Sequence, residues 1–253
     1  MIIGVSGAGG RMGRLVAETI RDTADLDLGP LYDPNHVGEE VVGTIITGDS
    51  GEMVGVEAVV EFTEPGVVMA NLAIWKSLGL HAVVGTSGFD ASRIAEVEHL
   101  WEAGPPNCLI VPNFSIGAVL MMRLAEMAAP HFAAAEVIEM HHDRKADAPS
   151  GTALATAERI ADAAEQHRAV KSAELVAGAR GADASGVPVH AVRLPGLVAH
   201  QEVLFGSTGE TLTIRHDTTD RSAFMPGVLK AIRAVADLGS SVTVGLESIL
   251  GIE

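Results

Sequence analysis

The N-terminal segment constrains the fold most, because a short apolar strand runs through four closely spaced glycines into an amphipathic helix. Glycines permit a tight turn and a close approach of the backbone to a pyrophosphate, whose charge then lies at a helix N-terminus. The glycines follow the spacing Gly7-x-x-Gly10-x-x-Gly13. If Gly7 and Gly9 are taken as the first two glycines of the strict Gly-x-Gly-x-x-Gly pattern, the third should be at position 12, where the chain has Met12. The segment predicts a dinucleotide-binding turn, with an ordinary strand-to-helix turn as the alternative.

An acidic residue follows at the position that such a turn requires. The apolar stretch 26–32 ends in Asp33, which comes 20 residues after Gly13. In dinucleotide-binding folds an acid at about that distance, at the end of the second strand, binds the ribose hydroxyls of the adenosine half. Strand, glycines and acid together favour a dinucleotide site over a glycine-rich turn followed by a helix-capping aspartate.

Apolar strands alternate with helices through the first half of the chain. The sequence predicts strands at 2–6, 26–32, 56–62, 80–85 and 108–112, with helices such as 66–79 and 90–103 between them. This alternation predicts an α/β fold with a Rossmann-like, doubly wound parallel sheet. Ligands bind beyond the carboxyl ends of the strands in such sheets. We therefore expect five residues at these ends to lie near a cofactor: Phe62, Thr63, Gly85, Thr86 and Asn113.

The pattern changes in the second half of the chain. It predicts a helix at 116–129, a strand at 136–141, a helix from 151, and strands at 188–193, 199–206 and 210–217. These elements predict a second α+β domain with a mixed sheet, and part of 171–185 is expected to be a surface excursion. Helices over 224–238 have the apolar spacing to return to the first sheet. The predicted domains are 1–112 with 224–253 for dinucleotide binding, and 113–223 for substrate binding and oligomerisation.

The run EMHHDRKADAPSGTA, residues 139–153, carries the chemistry of the second domain. It places two adjacent histidines, Lys145 and a Ser-Gly-Thr turn on a strand-to-helix loop. The N–H groups of Gly151 and Thr152 begin the helix, where the helix dipole and unpaired donors favour a carboxylate or phosphate. Lys145 adds a positive charge, and histidine exchanges protons near neutral pH. The run predicts a proton donor within an anion site.

The same residues have plainer interpretations. Two adjacent histidines on a strand are commonly one core-facing and one solvent-facing side chain, and Ser150 is expected to cap the following helix. A metal site with Asp143 as a third ligand is a further alternative. Adjacent strand residues point to opposite faces, which is poor geometry for two ligands on one ion. We therefore expect no metal.

Charge and composition exclude several classes of function. The formal net charge of −16 argues against a nucleic-acid or anionic-membrane partner, since both require a basic surface. The single cysteine, Cys108, excludes an internal disulfide and a cysteine-based zinc cluster. No apolar run approaches the roughly 20 residues that span a bilayer, and the N-terminus carries no signal-peptide pattern. We expect a cytoplasmic protein with a small-molecule substrate.

Together these motifs resemble the dihydrodipicolinate reductase (4-hydroxy-tetrahydrodipicolinate reductase) family of bacterial lysine and diaminopimelate biosynthesis. The resemblance extends over nearly the whole chain. The 139–153 run is its most specific part, whereas the glycine turn is shared by many folds. The other matching segments are Glu61–Thr63, Gly85–Phe89, Pro112–Ser115, Arg215–Asp217 and Arg221–Phe224.

The resemblance implies an oxidoreductase that uses NADH, NADPH or both to reduce 4-hydroxy-tetrahydrodipicolinate to tetrahydrodipicolinate with loss of water. It implies His141 as the catalytic proton donor and Lys145 as the catalytic partner acid and anion holder. It implies that His142, Gly151 and Thr152 contact the small dicarboxylate substrate, and that the protein is a homotetramer. The implied cofactor-binding positions are Gly7, Ala8, Gly9, Gly10, Arg11, Met12, Asp33, Gly85, Thr86, Ser87, Val111, Pro112, Asn113 and Phe114.

The chain departs from many NADPH-using members of the family just after the ribose acid. Those members place an arginine there, whereas Asp33 is followed by Pro34 and Asn35. Proline cannot hold a 2′-phosphate, and the Asp33 carboxylate repels one, although Arg11 remains a candidate to reach it. The sequence therefore predicts that NADH is used at least as well as NADPH.

Two other functions stay open at the level of the residues. A different two-domain amino-acid dehydrogenase, acting for example on aspartate or homoserine, would share the first domain but would not account as well for the residues from His141 to Thr152. A regulatory protein that senses NAD(H) without turnover would also explain the glycine turn. Substitution of His141 or Lys145 separates these cases, since a sensor has no turnover to lose.

Overall fold

The computed structural model describes residues 1–164, 170 and 172–252. It divides into two units, Met1–Ser115 with Phe224–Glu253 and Ile116–Ala223. The first break therefore follows residue 115, at the start of a helix, rather than residue 112 as in the division predicted from sequence. A helix is stabilised by its own packed face, so the loop that precedes it is a natural place for the break.

In chain order the strands are β1 (Ile2–Ser6), β2 (Asp27–Tyr32), β3 (Glu40–Val41), β4 (Thr44–Thr47), β5 (Ala58–Glu61), β6 (His81–Val84), β7 (Cys108–Ile110), β8 (Ala134–His141), β9 (Ala182–Ala184), β10 (Val187–Arg193), β11 (Ala199–Ser207), β12 (Glu210–Thr218) and β13 (Val242–Val244). The α-helices are α1 (Arg11–Arg21), α2 (Val68–Ser77), α3 (Ala91–Trp101), α4 (Ile116–Ala128), α5 (Gly151–Ala163), α6 (Met225–Ala234) and α7 (Glu247–Leu250).

The first unit contains an eight-stranded sheet in the order β13-β7-β6-β5-β1-β2-β4-β3. Neighbouring strands are parallel except for the β3–β4 pair. Helices α1 and α6 contribute to the apolar cluster on one face, and α2 and α3 contribute to the cluster on the other. Successive residues of β5 alternate between these clusters, as strand geometry requires. This arrangement confirms the predicted Rossmann-like, doubly wound sheet.

The second unit contains a five-stranded sheet in the order β12-β11-β8-β10-β9. β8 and β10 are parallel, and the other neighbouring pairs are antiparallel, so the predicted mixed sheet is confirmed. Alternate residues of β8 are buried, and they pack with α4 and α5 around Phe205 and Ile160. One face of this sheet is therefore the core of the unit.

Several elements differ from the sequence-based predictions. The short strands β3, β4 and β13 were not predicted, because two to four residues are too few to show an alternating pattern. β9 lies within 171–185, of which residue 171 is outside the described residues. The stretch 224–238 is α6 flanked by 3-10 turns at Arg221–Phe224 and Val235–Asp237. Within the described ranges, no helix combines the length and apolar character of a membrane span.

Candidate active site

The glycine turn after β1 is held by close backbone contacts. Gly7 has φ +78°, and a Cβ placed on it would lie 2.3 Å from the Phe62 carbonyl oxygen. A Cβ on Gly13 would lie 2.1 Å from the Gly7 carbonyl oxygen. The backbone just after β5 therefore excludes a side chain at Gly7, and the packing of α1 against the turn excludes one at Gly13. The glycine spacing read from the sequence reflects these two contacts.

Most N–H groups of the turn bond within the protein, whereas the first turn of α1 is uncapped. The N–H groups of Gly7 and Ala8 donate to the Tyr32 carbonyl oxygen at 2.9 and 3.3 Å, and that of Gly10 donates to the Gly7 carbonyl oxygen at 3.1 Å. α1 begins at Arg11, and no side chain in the described part of the chain caps it. The helix start thus offers N–H donors and a positive dipole end to an anionic group.

Asp33 lies directly after β2 and is 7% exposed. Its Oδ2 accepts the Gly9 N–H at 3.0 Å and lies 3.0 Å from Nδ1 of His36, while its Oδ1 accepts the Asn35 N–H at 3.0 Å. A carboxylate oxygen has two acceptor sites, and Oδ1 uses one of them for the Asn35 N–H, so the group can also accept a hydrogen bond from a ribose hydroxyl. His36 was not singled out in the sequence, because nothing in its spacing indicates that it turns back to Asp33.

Residues beyond β5, β6 and β7 converge on Gly85. A Cβ there would lie 2.2 Å from the Phe62 ring and 2.7 Å from the Phe114 ring, and the ring centroids are 5.5 Å apart. The Thr63 N–H donates to Thr86 Oγ1 at 2.9 Å. The predicted positions at these strand ends are therefore brought together. The other predicted positions differ in exposure: Ser87 and Pro112 are exposed, Asn113 is partly buried, and Val111 is 2% exposed within the core.

His141 is the last residue of β8, and Glu139 lies two residues earlier on the same face of the strand. Glu139 is fully buried. Its Oε2 lies 2.6 Å from Nδ1 of His141, and its Oε1 accepts the Ser150 N–H at 3.0 Å. Arg193, beside His141 in the register of β10, binds both carboxylate oxygens at 2.7 Å. One carboxylate therefore joins the histidine, an arginine and the start of α5.

The environment shifts the pKa values of the glutamate and the histidine. Burial raises the pKa of the Glu139 carboxyl, but hydrogen bonds from Arg193 and His141 outweigh it, so the net pKa is below the ordinary value of 4.5. Burial lowers the pKa of His141 below 6.5, the positive charges of Lys145 and Arg193 lower it further, and Glu139 opposes them. Near neutral pH Glu139 is thus an anion facing Nδ1 of His141.

The loop between β8 and α5 contains the remaining predicted residues of this site. His142 lies just beyond β8, and its Nδ1 is buried without a hydrogen-bond partner among the described residues. Because His142 lies outside the strand, strand alternation does not decide where it points. Lys145 is 22% exposed and binds both oxygens of Asp147, at 2.7 and 2.8 Å. Its charge, expected to face a ligand, is paired within the loop.

The start of α5 has the predicted cap. Ser150 Oγ accepts the Ala153 N–H at 3.2 Å, which confirms Ser150 as the N-cap. Gly151 is the first residue of the helix, and a Cβ placed on it would meet no atom within 4 Å. The helix therefore begins at an open position, where its dipole favours an anion. Within the ranges that the structure describes, no three metal-ligating side chains cluster.

Glu139 and Arg193 are residues of this site that the sequence analysis did not identify. The spacing Glu139-x-His141 on a strand was a usable signal, because residues two apart share a face. Arg193 lies 54 residues from Glu139 and had no such signal. Only the register of β8 with β10 brings it beside His141.

Comparison with known proteins identifies the family. A family model described as "Dihydrodipicolinate reductase, N-terminus" matches residues 1–114, and one described as "Dihydrodipicolinate reductase, C-terminus" matches residues 117–250. The chain is 49% identical to the 4-hydroxy-tetrahydrodipicolinate reductase of Mycobacterium marinum, with 100% of both chains covered. It is 50% identical to that of Thermobifida fusca, with 99% of both covered.

Solved structures agree with this identification. A dipicolinate-bound dihydrodipicolinate reductase from Paenisporosarcina sp. TG-14 has a TM-score of 0.87 and 34% identity, and the match covers 98% of this chain and 99% of that one. A scyllo-inositol dehydrogenase from Lactobacillus casei, at 13% identity and a TM-score of 0.62, shares the fold alone. The first unit has the nicotinamide dinucleotide-binding Rossmann fold. The chain belongs to the dihydrodipicolinate reductase family of oxidoreductases.

Proposed function

We propose that this chain catalyses the NAD(P)H-dependent reduction of 4-hydroxy-tetrahydrodipicolinate to tetrahydrodipicolinate in lysine and diaminopimelate biosynthesis. The observation that carries the proposal is the arrangement of His141, Lys145 and the N-terminus of α5 around one short loop, with His141 bonded to Glu139 at 2.6 Å. This arrangement combines a proton donor with an anion site, as the reduction of a dicarboxylate ring requires.

The second unit recognises the substrate through its carboxylates. The N–H groups of Gly151 and Thr152, at the start of α5, bind a substrate carboxylate. The Lys145 ammonium also binds a substrate carboxylate, in exchange for its contact with Asp147. His142, adjacent to the proton donor, completes the contacts. The relative from Paenisporosarcina was solved with dipicolinate, a planar ring dicarboxylate, which supports this class of substrate.

The proton comes from His141. Its Nδ1 is bonded to an anionic carboxylate, so the nitrogen that exchanges a proton with the substrate is Nε2. Burial lowers the pKa of His141, and the positive charge of Lys145 lowers it further, so His141 is a stronger acid. This chain supplies orientation, charge and a proton, and no side chain forms a covalent intermediate.

The first unit holds the cofactor. When bound, a reduced nicotinamide supplies the hydride. The uncapped start of α1 at Arg11 and Met12 suits the pyrophosphate, Asp33 suits the adenosine ribose, and the residues around Gly85 and Phe114 suit the nicotinamide half. We assign the remaining predicted positions at the glycine turn and the strand ends to the same site. They are Gly7, Ala8, Gly9, Gly10, Thr86, Ser87, Val111, Pro112 and Asn113.

NADH is used at least as well as NADPH. A 2′-phosphate beside Asp33 would meet a carboxylate that also holds the turn through the Gly9 N–H, and Pro34 offers no donor to compensate.

The protein acts in the cytoplasm, where both cofactors are found, and it assembles as a homotetramer through the second unit. The exposed apolar side chains of Leu120, Leu124 and Met127 on α4 support assembly, because an unpaired apolar stripe favours burial.

The deciding experiment follows the absorbance of the reduced nicotinamide when the purified chain is mixed with the fresh condensation product of pyruvate and aspartate semialdehyde. We expect the wild type to oxidise NADH rapidly. In His141→Ala and Lys145→Ala the rate should fall by about 100-fold or more, while the affinity for NADH is kept. Exposed Lys230→Ala serves as the matched control. Binding of NADH without oxidation of this substrate would reject the proposal in favour of another dehydrogenase or a sensor.

A further inference from the structure

The carboxylate of Glu139 joins His141, Arg193 and the start of α5 in the proposed site. It accepts four hydrogen bonds, two from Arg193, one from His141 and one from the Ser150 N–H. A fully buried carboxylate is costly unless its charge is paired and each of its oxygens is bonded, and here both conditions hold. Such a complete set of bonds fixes the position and orientation of the group.

From this geometry we propose that Glu139, held by Arg193, is a positioning residue that sets the tautomer and orientation of His141 and ties the start of α5 to it. The inference rests on the proposed function, because it assigns a role toward the proton donor of that reaction. Neither residue is a catalytic residue, since each acts through His141 or through the helix start.

The tautomer follows from the hydrogen bonds. Both partners of Glu139 Oε2, the Arg193 guanidinium and the His141 ring, must donate to it, so Nδ1 of His141 carries a hydrogen in the neutral ring. Nε2 is then an acceptor in the neutral ring and a donor in the imidazolium. The carboxylate also stabilises the imidazolium, which is the form that donates the proton.

The position of the helix start follows from the same carboxylate. Glu139 Oε1 accepts the Ser150 N–H, and Ser150 caps α5. Arg193 also donates to the Asp147 carbonyl oxygen at 2.7 Å, so the end of the loop is held from β10 as well as from β8. The anion site at α5 therefore keeps a fixed distance from His141.

The chain provides a matched control on the same strand. Glu136 is also bonded to a histidine and an arginine, with His190 Nε2 at 2.8 Å and Arg180 as its other partner. It lies three residues from Glu139, on the opposite face of β8. Glu136→Gln removes a carboxylate with similar partners but no link to His141 or α5.

The test compares Glu139→Gln with Glu136→Gln in the reductase assay as a function of pH. A glutamine keeps the shape of Glu139 but presents an amide that cannot satisfy Arg193 and His141 together. Without the carboxylate, burial and the positive charges of Lys145 and Arg193 act on His141 unopposed. We expect kcat to fall about 100-fold and the alkaline limb of its pH profile to move down by about one unit or more. The KM for NADH stays within about twofold, and Glu136→Gln retains the wild-type profile.

Two kinetic results would overturn the inference. One is a Glu139→Gln enzyme with kcat within about threefold of wild type. The other is a fall in kcat without movement of the alkaline limb, because a merely structural role would produce that. Arg193→Lys, which keeps the charge but loses the two-pronged contact, is expected to show a smaller loss with a shift in the same direction.

A measurement on the wild-type protein keeps the inference testable if these variants do not fold. Nitrogen-15 NMR of labelled histidine, with His141 assigned through His141→Asn, reports which ring nitrogen bears hydrogen. Hydrogen on Nδ1 supports the inference, and hydrogen on Nε2 of the neutral ring overturns it. This measurement needs no turnover, so a failed reductase assay would reject the proposed function while the tautomer still decides the role of Glu139.

Discussion

Among the described residues, each of the two units has one completely buried glutamate, and the two carboxyl groups have different kinds of partner. Glu61, at the end of β5, accepts hydrogen bonds from Trp75 Nε1 at 2.8 Å, Asn71 Nδ2 at 3.2 Å and the Thr63 hydroxyl. These donors are all neutral. Among the described residues, no arginine, lysine or histidine pairs with Glu61. Glu139 instead has a guanidinium and an imidazole as partners.

The difference lies in what each carboxyl group connects. The partners of Glu61 are close in sequence, and the indole of Trp75 is itself fully buried in the apolar cluster of α2 and α3. The partners of Glu139 lead outward, to a ring at a strand end and to the start of a helix. A buried carboxyl group with neutral donors stabilises the packing of the core around it. One with charged partners can also change the pKa of a residue in a functional site.

The largest expected effect is on stability, in Arg193→Met. This variant leaves the buried Glu139 anion without its counter-charge, and breaking such a pair costs about 3–5 kcal/mol of unfolding free energy. Urea unfolding followed by circular dichroism, at a fixed protein concentration, measures the loss. In the double variant Arg193→Met/Glu139→Met we expect most of the stability to return, because no unpaired charge remains, while kcat stays low. A double variant as unstable as the single one would contradict this account of the pair.

Glu61→Gln is expected to have a smaller effect and one of a different kind. The new amide N–H₂ group would face the N–H donors of Trp75 and Asn71, which should lower the free energy of unfolding by about 1–3 kcal/mol. The pH profile of kcat should keep its wild-type midpoint, because Glu61 has no contact with His141. Glu64→Gln, at an exposed position nearby, is the control, and its free energy of unfolding should stay within about 0.5 kcal/mol of the wild-type value. A shift of the kcat profile in Glu61→Gln would remove the contrast between the two glutamates.

The contrast between the two glutamates was only partly predictable from sequence. The glycine turn, Asp33 and the positions of the long strands along the chain could be predicted, because glycine spacing and apolar periodicity are local properties. The run of residues 139–153 was recognised in the same way. Its polar residues are close in the chain, so the loop and the helix start follow from the local pattern.

What could not be predicted depends on distant parts of the chain or on the conformation of a loop. Arg193 reaches Glu139 only through the pairing of β10 with β8. The pairing of Lys145 with Asp147 depends on how the loop turns, and the prediction of Lys145 as an anion holder did not include it. The sequence showed which groups are present, whereas the sheet register and the loop decide which of them neutralise each other.

A third carboxylate, Asp33, sharpens the comparison at the cofactor. It is nearly buried like the two glutamates, but its proposed role is to discriminate between ligands. The NADPH-to-NADH ratio of kcat/KM should not exceed about ten, which is about 1.4 kcal/mol. Asp33→Asn should raise the ratio by removing repulsion of the 2′-phosphate, whereas Asp22→Asn, at the far end of α1, should leave it unchanged. A preference for NADPH above tenfold in the wild type would contradict the role given to Asp33.

The smallest expected effect is on the pKa of His141, and it tests whether charge is transmitted through this site. Burial and the nearby positive charge of Lys145 both disfavour the imidazolium, so His141 should titrate below 6.5. In Lys145→Met that positive charge is gone and Asp147 loses its partner, and both changes favour the imidazolium. The pKa of His141, measured by NMR titration of the ring, should therefore rise by up to about one unit. Lys230→Met, on the exposed side of α6, should leave it unchanged. If the pKa of His141 fell or stayed constant in Lys145→Met, the charges around Glu139 would not act on the proton donor, and Glu139 would be as purely structural as Glu61.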